Sequence, residues 1–194
     1  MLGPVNLSLN AGECLCVTGP SGSGKSLLLR AIADLDPHQG EVLLDGVAAS
    51  DIAPEQWRRQ VALLPPESSW WLPRAGDHFH NGMPVALAQL DLSEDILKQP
   101  VSRLSSGERQ RLALLRLLAN QPRVLLLDEP TANLDADNTG RVEAVIAAYR
   151  EQHRAAVIWV SHDSAQARRV ASRQLSIEEG AVREQAMEHA HADA

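Results

Sequence analysis

The chain has 194 residues, 44% of them hydrophobic, which is enough to bury the core of one compact domain. Its formal net charge of -7 argues against a nucleic-acid-binding surface, which needs clustered Lys and Arg to displace counterions from phosphates. No apolar run approaches the roughly 20 residues that span a bilayer, and no basic-then-apolar leader is visible, so we expect a soluble, non-secreted protein.

Apolar runs of strand length alternate with helical patterns, which predicts an α/β fold with a largely parallel sheet. The first run, CLCVTG, places Cys14 and Cys16 on one face of a strand, so we expect unbridged thiols. The helical pattern SLLLRAIADL follows. EVLLDG is typical of an edge hairpin strand that turns at Asp45-Gly46, and VALLPP of a strand ended by Pro65 and Pro66.

Between residues 67 and 104 the composition changes to paired tryptophans, prolines and glycines, which predicts a second lobe with only short helices. The periodic pattern then resumes with a helix over about 105–120, the strand VLLLD, a helix near 137–150, the strand AAVIWVS and a short helix after His162. Residues 181–194 are predicted to form a polar, weakly structured tail.

The stretch GPSGSGKS lies between the first predicted strand and the first predicted helix. Its spacing matches the phosphate loop, in which side-chain-free positions let backbone N–H groups converge on phosphate oxygens and the helix adds its positive end. Lys25 then reaches the β- and γ-phosphates, and the Ser26 hydroxyl suits Mg2+. The alternative is a tight bend that only feeds an amphipathic helix. The predicted loop residues are Gly19, Pro20, Ser21, Gly22, Ser23, Gly24, Lys25, Ser26 and Leu27.

Two carboxylates, Asp128 and Glu129, end the apolar run VLLLDEP. A buried parallel strand of this kind would bring Asp128 to a metal and Glu129 to the position of an attacking water. An ordinary solvated turn is the alternative interpretation.

The stretch LSSGERQ opens the helix that precedes that strand. Ser105 is a candidate N-cap, and Glu108, three residues later, completes a capping box. Together with Ser106 and Gly107, the same exposed helix start is also a candidate anion site. The two roles can coexist, and the local sequence does not choose between them.

The ordered set of motifs resembles the ATP-binding cassette family, the nucleotide-binding domains of ABC transporters. In chain order the motifs are a Walker A loop (GPSGSGKS), a signature motif (LSSGERQ), a Walker B strand (VLLLDE), a D-loop (ANLD) and a switch histidine (SHD). The resemblance covers about residues 2–180, and LGPVNLSLNAGE resembles the strand just before Walker A.

The resemblance implies a P-loop NTPase (RecA-like) fold with a mostly parallel sheet core, a reduced antiparallel β edge and a short helical subdomain. We therefore expect one ABC ATPase domain over residues 1–194. Residues 1–66 and 105–180 would form the nucleotide-binding core, residues 67–104 the helical lobe and residues 181–194 the tail.

Two cassettes of this family pack head to tail, with ATP between the Walker A loop of one and the signature motif of the other. The resemblance thus implies ATP and Mg2+ as cofactors and a second copy of the chain as a partner. Ser105, Ser106, Gly107 and Glu108 would face the nucleotide held by that copy.

Catalytic roles follow from the same resemblance. Glu129 would orient the hydrolytic water, His162 would contact the γ-phosphate, Asp135 would link the two sites of the dimer, and Ser26 and Asp128 would hold the metal. A lone histidine at a strand end is otherwise most often a plain surface or core residue.

Three positions depart from the family pattern. Leu27 stands where threonine is usual, and Ser106 replaces the first glycine of the signature pair. Pro66 replaces a glutamine that contacts Mg2+ in the family, and we hypothesise that Glu67 or a water takes over part of that role.

The family's helical lobe receives a separate membrane permease, which implies an ATPase subunit that is cytoplasmic and peripheral on the inner face of the cell membrane. Trp70, Trp71, Leu72 and Phe79 are candidates for the docking surface or, equally, for the core of the lobe. Two stretches, DHFH at 77–80 and EHAH at 188–191, have metal-like spacing, although a solvated role is favoured.

Two other functional classes remain open at the sequence level. A soluble ABC-type machine acting on DNA or ribosomes would be expected to show coiled-coil insertions, two cassettes or a basic surface, and none is visible. A nucleotide-gated adaptor with weak hydrolysis is compatible with Pro66, but Glu129 and His162 favour turnover.

Overall fold

The computed structural model describes residues 2–79, 86–178 and 180–186. The strands are β1 (Cys14–Thr18), β2 (Leu43–Leu44), β3 (Val47–Ala48), β4 (Val61–Leu64), β5 (Val124–Asp128), β6 (Ala156–Val160), β7 (Arg173–Glu178) and β8 (Ala181–Ala186). The α-helices are α1 (Lys25–Ile32), α2 (Pro54–Gln60), α3 (Ser106–Leu118), α4 (Ala136–His153) and α5 (Ser164–Val170). No helix among the described residues has both the length and the apolar composition to cross a bilayer.

The main sheet has six strands in the order β4-β5-β6-β1-β7-β8. All neighbours are parallel except β8, which runs antiparallel to β7. The central strands are almost entirely buried, which explains why they are continuous apolar runs rather than alternating ones. A separate hairpin joins β2 to β3 through Asp45 and Gly46, both at positive φ, as the sequence predicts.

Alternate residues of the central strands face two different cores. Leu15, Leu126 and Ile158 pack with α1 and α2 on one face, whereas Cys16 and Trp159 pack with α3, α4 and α5 on the other. Helices therefore cover both faces of the sheet. This doubly covered, mostly parallel sheet confirms the predicted fold class.

Both cysteines are buried and unbridged, as expected from their shared face. Burial raises the pKa of Cys14 to about 11 and that of Cys16 to about 12, so both remain neutral thiols at physiological pH.

The two ends of the chain differ from the sequence-based expectation. Residues 181–186, predicted to begin a polar tail, form β8 because their backbone pairs with β7 along its whole length. Residues 187–194 lie outside the described residues. At the other end, residues 2–10 are not assigned to a strand; Val5, Leu7 and Leu9 nevertheless alternate inward onto the core.

The described part of the 67–104 lobe contains four short 3-10 helices and no α-helix, in line with the predicted short helical lobe. Trp70 and Phe79 pack partly against the core, whereas Trp71 is 65% exposed. The prediction that His78 is solvated was wrong. The ring is buried edge-on between Trp70 and Trp71 and shares a hydrogen bond with the backbone of Leu72. His80 and residues 188–191 lie outside the described residues.

Candidate functional site

Three loops meet at one edge of the sheet because their strands are parallel and adjacent. Gly19 follows β1, Glu129 follows β5, and Ser161 and His162 follow β6, which lies between the other two strands. The carboxyl ends of parallel strands are where open α/β sheets bind ligands. The loop that begins at Gly19 and the acidic strand end are therefore neighbours in space.

The loop from Gly19 to Gly24 has the backbone of a cradle. Gly19, Gly22 and Gly24 all have positive φ, a region that side-chain-bearing residues rarely adopt. Gly24 is the N-cap of α1 and carries no side-chain cap, so the first-turn N–H groups of the helix face the loop.

Lys25 is folded back over this cradle. Its Nζ donates hydrogen bonds of 2.8 Å to the carbonyl oxygens of Gly19 and Pro20, and the residue is only 8% exposed. The two carbonyls that accept these hydrogen bonds are neutral, so they hold the buried ammonium without balancing its charge. An anion entering the loop would therefore be attracted to Lys25.

Among the described residues, the buried Ser23 hydroxyl is without a hydrogen-bond partner. Leu27, also a predicted loop residue, is 59% exposed on α1.

Asp128 is a buried carboxylate at the end of β5, and the Ser26 side chain lies within hydrogen-bonding reach of it. Burial raises the pKa of the Asp128 carboxyl, and the nearby Glu129 charge adds to this effect; the Ser26 hydrogen bond and the Lys25 charge act in the opposite direction. A hydroxyl beside a buried carboxylate is the hard-oxygen donor pair that suits Mg2+. The two predicted metal ligands are thus brought together.

At pH values above neutral, we expect the ligand-free Asp128→Asn variant to have a higher melting temperature than the ligand-free wild type. The pKa of Asp128 is raised in the folded state, so the folded wild type binds its proton more tightly than the unfolded chain does. The wild-type fold therefore loses stability as the pH rises from the ordinary carboxyl pKa through the raised, folded-state pKa. The neutral amide in the Asp128→Asn variant does not ionise, so the variant does not lose this stability. A gain of about 1 kcal/mol would shift the melting temperature by roughly 2–4 °C.

Thermal melts between pH 5 and pH 8 measure this effect. Asp36→Asn is a control of opposite sign, because the Arg30 hydrogen bond lowers the pKa of Asp36 and the substitution can only remove favourable contacts. A melting temperature for Asp128→Asn that is equal to or below that of the wild type at pH 8 would contradict the argument.

Glu129 and His162 face each other across the ends of β5 and β6. His162 Nδ1 lies 3.5 Å from Glu129 Oε2, and the side chains are 70% and 31% exposed, respectively. Glu129 has φ 48, and its N–H donates to the carbonyl of Val160 on β6. The left-handed backbone turns the carboxylate out of the strand toward the loop that carries the histidine.

The start of α3 forms the predicted capping box. Ser105 Oγ accepts a hydrogen bond from Glu108 N at 3.1 Å, and Glu108 Oε2 accepts one from Ser105 N at 2.8 Å. A Cβ added at Gly107 would lie 3.1 Å from the Leu134 side chain, so this helix start lies directly against the D-loop. In the part of the chain that the structure describes, no hydrogen bond or ion pair joins it to the loop at Gly19–Gly24.

Asp135 caps α4 by accepting hydrogen bonds from both the backbone and the side chain of Asn138, and these bonds lower the pKa of its carboxyl. Arg111 of α3, which no sequence motif singles out, donates to Asn138 Oδ1 and to the Leu90 carbonyl. One buried arginine, Arg111, thus joins α3, the start of α4 and the 67–104 lobe.

The family described as ABC transporter matches residues 2–132 of this chain. The probable iron export ATP-binding protein FetA of Escherichia coli (strain K12) is 38% identical over 176 residues, which are 84% of this chain and 78% of that protein. The aliphatic sulfonates import ATP-binding protein SsuB of Pseudomonas entomophila (strain L48) is 39% identical over 191 residues, 92% of this chain and 67% of that protein.

One solved structure is similar to the chain in both fold and sequence. The dimeric post-hydrolysis state of the ATP-binding cassette MJ0796, bound to ADP and Pi, superposes with a TM-score of 0.81 at 28% identity, covering 95% of this chain and 90% of that one. The family match covers well over half of the chain. By sequence and by fold, the chain belongs to the ABC transporter family as one of its ATP-binding domains.

Proposed function

We propose that this protein binds MgATP, hydrolyses it to ADP and phosphate as a head-to-tail dimer, and thereby drives a separate membrane permease. The observation that carries the proposal is the meeting of three loops at one sheet edge: the phosphate loop, the acidic end of β5 and the His162 loop. Phosphoryl transfer depends on positioning and charge neutralisation, which these groups supply, more than on covalent chemistry.

Each residue at this edge has a role that its chemistry supports. Lys25 exchanges its two carbonyl partners for the β- and γ-phosphate oxygens. Ser26 and Asp128 would hold Mg2+, which neutralises phosphate charge when bound. Glu129 accepts a hydrogen bond from the attacking water and orients it, and His162, in contact with that carboxylate, reaches the γ-phosphate.

A second copy of the chain would complete the site. The capping box uses the N–H groups of Ser105 and Glu108, so an anion at this helix start would be bound by those of Ser106 and Gly107 together with the Ser105 hydroxyl. Asp135, whose carboxylate is already held in place at the start of α4, would link the two sites. The solved cassette that is similar to this chain is dimeric and bound to ADP and Pi, which supports a dimer here.

The permease would dock at a cleft between the lobe and the core. This cleft has a volume of about 330 Å3 and is lined by Leu35, Pro65 and Leu117 from the core and by Trp71 and Phe79 from the lobe. The lining also includes Arg58 and Arg116, and a cleft that combines an exposed tryptophan with arginines has the composition of an interface hot spot. Docking there would hold the protein at the inner face of the cell membrane.

Glu67 and Asp128 emerge at the same sheet edge, because β4 and β5 are parallel neighbours and Leu64 pairs with Leu127. The placement is compatible with the hypothesis that Glu67 replaces the missing glutamine. If Glu67→Ala leaves the metal-dependent activity unchanged, that substitution hypothesis fails.

Phosphate release from purified wild-type protein, measured with Mg2+ and again after chelation, tests the enzymatic proposal. We expect release only with Mg2+, and ATP-dependent dimers when hydrolysis is blocked. ATP binding without release would instead indicate the nucleotide-gated adaptor. Purification from solubilised membranes tests coupling: co-purification with an integral membrane protein supports the transporter subunit, whereas recovery only with ribosomes or DNA contradicts it.

A further inference from the structure

Gln166 is a polar side chain buried beneath the site, where it joins three segments of the chain. It lies on α5, is 3% exposed, and has both ends of its amide hydrogen-bonded. The amide oxygen accepts from Ser161 Oγ at 2.9 Å, and the amide nitrogen donates to Thr131 Oγ1 at 2.9 Å and to Glu143 Oε1 at 2.8 Å.

The hydrogen bond between Ser161 and Gln166 helps to fix the segment that carries His162. The Ser161 N–H donates to the carbonyl of Val17 on β1, and its hydroxyl accepts from the Asp163 N–H while donating to Gln166. The residues on both sides of His162 are therefore held, although the imidazole itself is largely exposed.

The hydrogen bond from Gln166 to Thr131 helps to fix the segment that carries Glu129. Thr131 lies two residues after the carboxylate in a tight turn, closed by a hydrogen bond from the Ala132 N–H to the Glu129 carbonyl. The third partner of Gln166, Glu143 of α4, also accepts two hydrogen bonds from Arg169. The Gln166 amide thus connects the loops that carry Glu129 and His162 to α4.

We propose that Gln166 is a positioning residue that sets the separation of Glu129 and His162 for ATP hydrolysis; this inference rests on the proposed function. Gln166 does not touch the reacting atoms. A leucine of similar size would fill the space, but it would remove the acceptor of the buried Ser161 hydroxyl and one donor each to the partly buried Thr131 and Glu143 side chains. Without these links the loops would shift to find other partners or water. Such a displacement lowers the rate of the chemical step more than it lowers nucleotide binding.

Three variants test this role. Gln166→Leu removes all three hydrogen bonds, and Gln166→Glu sets a carboxylate against Glu143. The double variant Gln166→Glu with Glu143→Gln, called the exchange variant, again places an amide N–H donor opposite a carboxylate acceptor, with the two groups in swapped positions. The matched control is Tyr149→Phe, which removes one buried hydrogen bond of α4, to the Pro122 carbonyl, at a place remote from the loops.

We expect kcat to fall roughly 10- to 100-fold in both single variants at position 166, with KM for ATP within about threefold of the wild type. The exchange should restore kcat to within about threefold, because the lost interaction is pairwise. Tyr149→Phe should keep wild-type kcat. Circular dichroism melts establish that every variant is folded at the assay temperature.

NMR separates failure of this inference from failure of the proposed function, because it needs no turnover. The ring resonances of His162, assigned by their loss in His162→Gln, should move in Gln166→Leu and stay in place in Tyr149→Phe. Unshifted resonances in Gln166→Leu, or an exchange variant as slow as Gln166→Glu alone, would overturn the positioning role. An inactive wild type would refute the hydrolysis proposal and leave the resonance test standing.

Discussion

Phosphate release is expected to fall at least about 100-fold in Glu129→Gln, while ATP binding stays within about threefold of the wild type. The amide has the shape of the carboxylate, so the left-handed turn at this residue and its hydrogen bond to Val160 are kept. In the proposed mechanism, what is lost is the negative oxygen that would accept a hydrogen bond from the attacking water. The nucleotide should therefore be held without being cleaved, and dimers should accumulate.

A phosphate-release assay and equilibrium titration with a fluorescent ATP analogue measure the two quantities separately. Glu151→Gln is the matched control, because it makes the same chemical change at an exposed position of α4 and should leave both quantities unchanged. Release by Glu129→Gln at more than about one tenth of the wild-type rate would be too fast for loss of the carboxylate that orients the attacking water, and would reject the role proposed for Glu129.

The sheet and its phosphate loop were predictable because their signals are local. CLCVT, VLLLD and AVIWV are apolar along their whole length, as expected of strands covered on both faces, and GPSGSGKS combines required glycines with a lysine in eight residues. The capping box at Ser105 was predictable for the same reason, since both partners lie within one helical turn.

Other elements escaped prediction because their burial depends on distant partners. The strand β7 has only two buried apolar side chains, Leu175 and Ile177, among Arg173, Gln174, Ser176 and Glu178, so its apolar pattern is too short to stand out. The strand β8 owes its assignment to backbone pairing with β7. Neither pattern is strong enough without the neighbour that completes it.

Buried polar groups were the least predictable part of the site. Arg111 and Gln166 lie on helices, where a polar residue ordinarily faces water, yet both are buried. Their hydrogen-bond partners include Leu90, Asn138, Thr131 and Glu143, at least 21 positions away in sequence. Such a position can be recognised only when the surrounding elements are in place.

Gly19→Ala is expected to weaken ATP binding strongly, because Gly19 is the point where the phosphate loop leaves the sheet. A Cβ at this residue would lie 2.2 Å from the backbone carbonyl oxygen of Ile177 on β7, far inside van der Waals contact, and φ is 142. That carbonyl belongs to a paired strand and cannot swing aside as a side-chain end could. The loop itself must move, which displaces the two carbonyls that position Lys25.

Overpacking and backbone strain each cost about 1–3 kcal/mol, or about 2–6 kcal/mol together, so we expect ATP affinity to fall by roughly 1.5 to 4 orders of magnitude. Gly22→Ala is the matched control in the same loop: it shares a positive φ of 79, but its added methyl group would meet nothing within 4 Å. We expect a loss of only about 5- to 30-fold there, because backbone strain alone costs about 1–2 kcal/mol. Equal losses in the two variants, measured by calorimetric titration with ATP, would mean that contact with β7 does not set the shape of the phosphate loop.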